Sequence, residues 1–141
     1  MDTPSFTCET ESLALSVKMP FSNPILVSCI YRRPDSTNLT SFFPELNIFL
    51  NKLTTYLHTH KEAYHFGDKN IDLLKKNTLG QKLIGGFSEY GYTQLITEAT
   101  HHTKTSHTLI DHIYSNTQDF LAKSGVSHNL RIVKSRYGFY S

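Results

Sequence analysis

His65-Phe66-Gly67-Asp68-Lys69-Asn70-Ile71-Asp72-Leu73-Leu74 is the stretch from which the rest of the chain can be read. The apolar approach from Ala63 to Phe66 reads as the end of a strand, and Gly67 lets the backbone turn there without a Cβ clash. Asp68 and Asn70 follow at once. A spacing of two in an extended segment puts both side chains on the same side, so a carboxylate and an amide can converge on one ligand. Such a pair suits phosphate-ester hydrolysis, in which Asp orients or deprotonates a water and Asn donates to the phosphoryl oxygens. Gly, Asp, Asn and Lys are also ordinary turn residues, and on these ten residues alone a turn is the stronger reading.

The surrounding 141 residues are 38% hydrophobic and 18% charged, enough for one globular domain, residues 1–141, with its own core. A formal net charge of +2 with eight His declares neither a strongly basic nor an acidic surface and leaves partners open. No apolar run approaches the roughly 20 residues of a membrane helix, and Met1-Asp2-Thr3-Pro4 lacks the regions of a signal peptide. No membrane association and an intracellular address, nuclear or cytoplasmic, are therefore expected. Cys8 and Cys29 are the only cysteines and show no CxxC spacing, so both read as buried thiols in a reducing compartment. Asn38-Leu39-Thr40 is a glycosylation sequon that matters only in a secreted chain.

Upstream of the central stretch, Ser12 to Lys18 alternates, with Leu13, Leu15 and Val17 on one face, and predicts a half-buried strand. Ile25 to Tyr31 is nearly continuously apolar and predicts a strand covered on both faces, paired with the first as a hairpin and ended by Pro34. Phe42, Leu46, Phe49, Leu53 and Tyr56 or Leu57 share a helical stripe of about four turns, with Thr40 or Ser41 available as N-cap and Pro44 in the first turn. His58 and His60 fall at that helix's end, where cations suit the macrodipole better than a metal site.

Downstream, Leu79, Leu83, Phe87 and Tyr90 mark a shorter helix, weakened by Gly85-Gly86 and closed by Gly91. Tyr92 to Ile96 predicts a strand. His101 to His107 is polar and without period, so it reads as a loop with solvated histidines. Thr108 to Tyr114 predicts a strand with Asp111 on the face of Leu109 and Ile113, where a carboxylate needs a partner. Val126 to Val133 predicts the last strand, and Lys134 to Ser141 a fraying tail. Mixed strands and helices without internal repeats argue for α/β or α+β layers.

Taken together, Ile30-Tyr31-Arg32-Arg33-Pro34, Gly67-Asp68-Lys69-Asn70-Ile71-Asp72-Leu73-Leu74, Leu109-Ile110-Asp111-His112-Ile113-Tyr114 and Ser127-His128 resemble, in order and spacing, the endonuclease/exonuclease/phosphatase superfamily. The chain looks more closely like the endonuclease region of LINE-type (non-LTR) retrotransposon reverse transcriptases, with the resemblance running from about residue 7 to 133. It implies an α/β fold, part of a four-layer sandwich of two packed mixed sheets flanked by helices. It also implies Mg²⁺-dependent hydrolysis of phosphodiesters, with DNA as the partner. Carried over, Tyr31 would contact the phosphate, Asp68 would bind the metal and position the attacking water, Asn70 would steady the transition state, and Asp111 would hold His128.

The departures from that pattern are specific. The family's metal-binding Glu and an Asn belong to strands upstream of this chain's start, so the N-terminal strands are expected to be missing. The family's final Ser-Asp-His is here Ser127-His128, which loses an acid; aligned without a gap, His128 replaces the Asp and Asn129 the His. Lys69 stands where an aromatic is usual and Arg33 where Pro is. Since Mg²⁺ wants near-octahedral oxygen ligands, Asp68 alone makes a poor site. The expectation is a truncated, degenerate endonuclease-type domain, weak or inactive alone, that self-associates through uncovered sheet edges. The alternatives are a non-catalytic module that binds nucleic acid or protein, and a fragment without selected function.

Overall fold

The structure, a computed structural model, describes residues 4–6, 10–34, 39–117, 121–126 and 131–135, the last two segments by backbone alone. Strands β1 (Thr10–Val17) and β2 (Ile25–Arg32) pair antiparallel, from Thr10↔Arg32 to Val17↔Ile25. Helix α1 (Leu39–Thr54) then carries the chain over to β3 (Glu62–Asp68), which runs parallel to β2 with Cys29 beside Phe66. Helix α2 is Thr78–Ser88, followed by the short strands β4 (Thr93–Gln94), β5 (His101–His102) and β6 (His107–Thr108). Strand β7 (Asp111–Ser115) inserts between β3 and β4, completing a mixed sheet of order β1-β2-β3-β7-β4. β5 with β6, and β8 (Leu121–Val126) with β9 (Arg131–Ser135), form separate two-stranded sheets.

The predicted helical stripe packs as expected. Phe42, Leu46, Phe49, Leu50 and Leu53 of α1 join Leu83 and Phe87 of α2 against Ala14, Leu26, Ile30, Ala63 and Tyr114 on one face of the sheet. Burying each of the large side chains is worth about 2 kcal/mol, so this contact supplies most of the hydrophobic stabilisation. Thr40 and Ser41 lie inside the first turn instead of capping it, and Pro44 falls in the second turn. Asn77 caps α2 by accepting from Gly80 N–H, and Gly91, at φ +80°, closes the turn beyond it.

Several expectations are corrected. Leu13, Leu15 and Val17 of β1 are 53%, 50% and 39% exposed, while Ala14 on the opposite face is buried. β2 is correspondingly covered on one face only: Leu26, Ser28 and Ile30 are buried, whereas Tyr31 and Cys29 are exposed. The helices occupy the Ala14 face, and nothing among the described residues covers the other face over β1 and β2. Farther across that same face, Ile96, Leu109 and Ile113 pack with Phe66, Leu73 and Leu95 in a second, smaller cluster. His101 to His107, expected as a loop, is largely a β-hairpin, and the strand expected over Tyr92 to Ile96 is only Thr93–Gln94. The last expected strand is two strands, whose intervening residues lie outside the described ones. Cys8, Asn38 and residues 136–141 also lie outside the described residues.

Candidate active site

The central stretch is shaped first by Gly67. Its φ is +129°, and a Cβ there would stand 2.0 Å from the Ile30 carbonyl oxygen, so only glycine lets β3 lie this close to β2. The glycine is thus needed for close strand approach within β3 instead of for a turn. The chain leaves the sheet after Asp68. Asn70 adopts φ +50°, and its backbone N–H donates to Asp68 Oδ1 at 2.9 Å. The Asp68 side chain is therefore tied to the Asn70 backbone in an Asx-type turn, and the extended spacing expected from the sequence does not persist. Asp72 Oδ1 accepts from Leu74 N–H and Leu109 N–H, and Leu73 N–H donates to Leu109 O, stapling the loop to the approach of β7.

Arg32 holds the other side. Only 4% exposed, it donates from Nε to Lys69 O at 2.8 Å and from Nη2 to Asn70 O at 2.9 Å, while Asn70 Nδ2 donates to Arg32 O at 2.5 Å. Charge-assisted bonds to two successive carbonyls fix the peptide that follows Asp68. Sequence reasoning assigned Arg32 no role. The usable signal was alternation, which puts Arg32 on the buried face of Ile30 and Ser28, where a cation needs partners.

Asp68 and Asp111 are direct Cα partners in the β3–β7 ladder. Motifs distant in sequence thus place two carboxylates side by side at one end of the sheet. Asp111 is 8% exposed, and its backbone N–H donates to Thr100 Oγ1. Tyr31, 38% exposed, projects from the same face, two residues beyond the Cys29–Phe66 pair and opposite Glu11. Tyr31, Asp68, Asn70 and Asp111 therefore gather at one end of the molecule; Ser127, His128 and Asn129 lie outside the described residues.

Beneath them is a polar interior that the sequence did not announce. Lys69 is fully buried; Nζ lies 3.3 Å from Gly67 O and over the Phe87 and Tyr114 rings. Burial pushes its ammonium down to about 8, opposed by Cys29, Asp68 and Asp111. His65 shares a 2.5 Å contact from Nδ1 with Ser28 Oγ, and His112 Nε2 faces the Ile71 and Leu109 carbonyls. Burial, with Lys69 adding to it, pushes both imidazoles down to about 3. Both are neutral at physiological pH. Burial likewise raises the Tyr92 hydroxyl to about 12 and the Tyr114 hydroxyl still further. Among the described residues, His65 Nε2, His112 Nδ1 and both tyrosine hydroxyls find no hydrogen-bond partner.

Mg²⁺ sites commonly take one or two protein carboxylates, the remainder coming from water and substrate phosphate, and Asp68 with Asp111 beside it falls within that range. Among the described residues no group of three or more metal-ligating side chains occurs. The donor set therefore fits a weakly held, largely hydrated ion and no more.

No family model matches the chain, and no curated protein matches it. Among solved structures it is similar to the endonuclease domain of TRAS1, a telomere-specific non-LTR retrotransposon, with a TM-score of 0.62 and 15% identity over 85% of this chain and 57% of that one. It is also similar to an endonuclease/exonuclease/phosphatase family protein from Bacteroides thetaiotaomicron, with a TM-score of 0.51 and 13% identity over 84% of this chain and 46% of that one. The chain thus spans about half the length of the solved structures it matches. At these identities the likeness is one of fold, and the α/β class is as the sequence led us to expect.

Proposed function

We propose, from a fold shared with a retrotransposon endonuclease domain, that this chain is part of a nuclease-like domain of the endonuclease/exonuclease/phosphatase type that binds DNA and has little or no hydrolytic activity alone. The observation carrying this reading is the pairing of Asp68 with Asp111 at the sheet end, with Asn70 tied to Asp68. In the full reaction Asp68 would hold Mg²⁺, which supplies charge neutralisation at the phosphate. Asp68 would also orient water, Asn70 would donate its remaining amide N–H to a phosphoryl oxygen, and Tyr31 would contact the phosphate. Asp111 would support His128 in its charged form. Arg32 holds the Lys69–Asn70 backbone from which these groups project.

The open face of Leu13, Leu15 and Val17 supports completion of the four-layer sandwich by strands outside these 141 residues. In their absence that face and the β1 edge favour self-association. No helix among the described residues is long and apolar enough to cross a membrane; a nuclear or cytoplasmic address accords with a DNA partner. The acid lost before His128, and the lack of a third grouped ligand among the described residues, favour a second reading, a module that binds nucleic acid or protein without cleaving it.

Supercoiled plasmid nicking with Mg²⁺, beside a DNA-binding assay in chelator, tests both readings. Binding with little or no nicking is the expected result. Nicking abolished by Asp68→Ala would show a competent enzyme, and absence of both binding and nicking would overturn the proposal.

A further inference from the structure

The β5–β6 hairpin brings His102 and His107 together as cross-strand partners. Their Nδ1 atoms stand 2.6 Å apart and their ring centroids 4.8 Å apart, both side chains being exposed. Two imidazole nitrogens at that distance need one hydrogen between them, one ring donating and the other accepting. If both rings instead carry their hydrogen on Nε2, two Nδ1 lone pairs face each other. We propose that this pair is a bidentate site for a divalent transition ion of the Zn²⁺ or Cu²⁺ class, distinct from the Asp68–Asp111 carboxylates.

The geometry is close to what such an ion needs. With metal–nitrogen bonds of about 2.0–2.1 Å, two cis imidazole nitrogens lie about 2.9 Å apart at a right angle and about 3.4 Å apart in a tetrahedron. From the present 2.6 Å contact the nitrogens must part by about 0.3 Å for the first and about 0.8 Å for the second, which rotations of two exposed rings can supply. The backbone beneath is already fixed. Thr103 N–H donates to Ser106 O, Thr103 Oγ1 accepts from the N–H groups of Thr105 and Ser106, and Thr100 N–H donates to Thr108 O. A pre-set chelate loses little conformational freedom when the ion enters. Imidazole selects Zn²⁺, Cu²⁺ or Ni²⁺ over the oxygen-seeking Mg²⁺. Two protein ligands leave the remaining positions to water or to a donor from another molecule. His101 is on the opposite face, paired with Thr108, and takes no part.

The test is Zn²⁺ titration of the tag-free 141-residue chain at neutral pH, by calorimetry and by amide NMR, with millimolar Mg²⁺ present throughout. One site is expected, with shifts centred on residues 101–108. His102→Gln and His107→Gln should each weaken it by about tenfold or more, and His101→Gln should leave it unchanged. Because all three side chains are exposed, unchanged circular dichroism is expected in every variant. Absence of Zn²⁺ binding, equal affinity in the His102→Gln and His107→Gln variants, or shifts confined to other histidines would each overturn the assignment.

Discussion

Acidification from pH 7 to pH 5 should destabilise this fold far more than surface histidines would, because His65 and His112 are buried neutral. Each has a folded pKa of about 3 against an ordinary imidazole value of 6.5. Below 6.5 the unfolded chain therefore takes up protons that the folded chain refuses, and stability falls with pH until the folded pKa is reached. At pH 5 this amounts to about 1.5 pK units, or about 2 kcal/mol for each histidine and about 4 kcal/mol for the pair. Against a total stability of about 5–15 kcal/mol for a domain, that is a large fraction. Urea unfolding at both pH values is the assay, with His65→Asn and His112→Gln as the perturbations. Asn retains a donor or acceptor near the Nδ1 that meets Ser28, and Gln one near the Nε2 that meets the Ile71 and Leu109 carbonyls. Each variant should reduce the pH 7 to pH 5 loss by about 2 kcal/mol, whatever its own cost at pH 7. Carboxylates titrating in the same range cancel in the comparison with the wild type. A wild-type midpoint unchanged at pH 5, or variants with the wild-type pH slope, would refute the reasoning.

Lys69 carries the same logic, with the same sign, into the alkaline range. Its folded pKa of about 8 lies below the ordinary lysine value of 10.5, so its cost is full below pH 8 and fades toward 10.5. The wild type should gain about 1.3 kcal/mol between pH 7 and 9, a gain that Lys69→Met abolishes in denaturant titrations; a flat wild-type profile would count against a buried ammonium. Gly67→Ala should cost about 3 kcal/mol or more, since the overlap with Ile30 O adds to backbone strain, and a melting temperature within a degree of wild type would contradict the strand approach described. In a Cys8→Ser background, Cys29, exposed on the open face, should react readily with a thiol reagent in dilute solution and more slowly as concentration rises and copies of the chain cover that face. A rate independent of chain concentration would count against self-association through it.

What the sequence determined by itself was local or carried by ordered motifs. The stripe Phe42, Leu46, Phe49, Leu53 specifies α1 because helical periodicity is a property of one segment, and the same face packs in the fold. The resemblance carried by the four motifs implied an α/β fold, which the chain has, and Asp68 and Asp111 are cross-strand partners at one sheet end. Tertiary structure decided the rest. Alternation in β1 defines two faces but not which one the helices will choose, and they chose the Ala14 face, leaving Leu13, Leu15, Val17 and Cys29 open. Arg32 as a clamp, Lys69 inside an aromatic core and His102 facing His107 each depend on strand register or on a neighbour remote in sequence. Their meaning is a matter of desolvation and of distance between segments, and neither exists until the chain has folded.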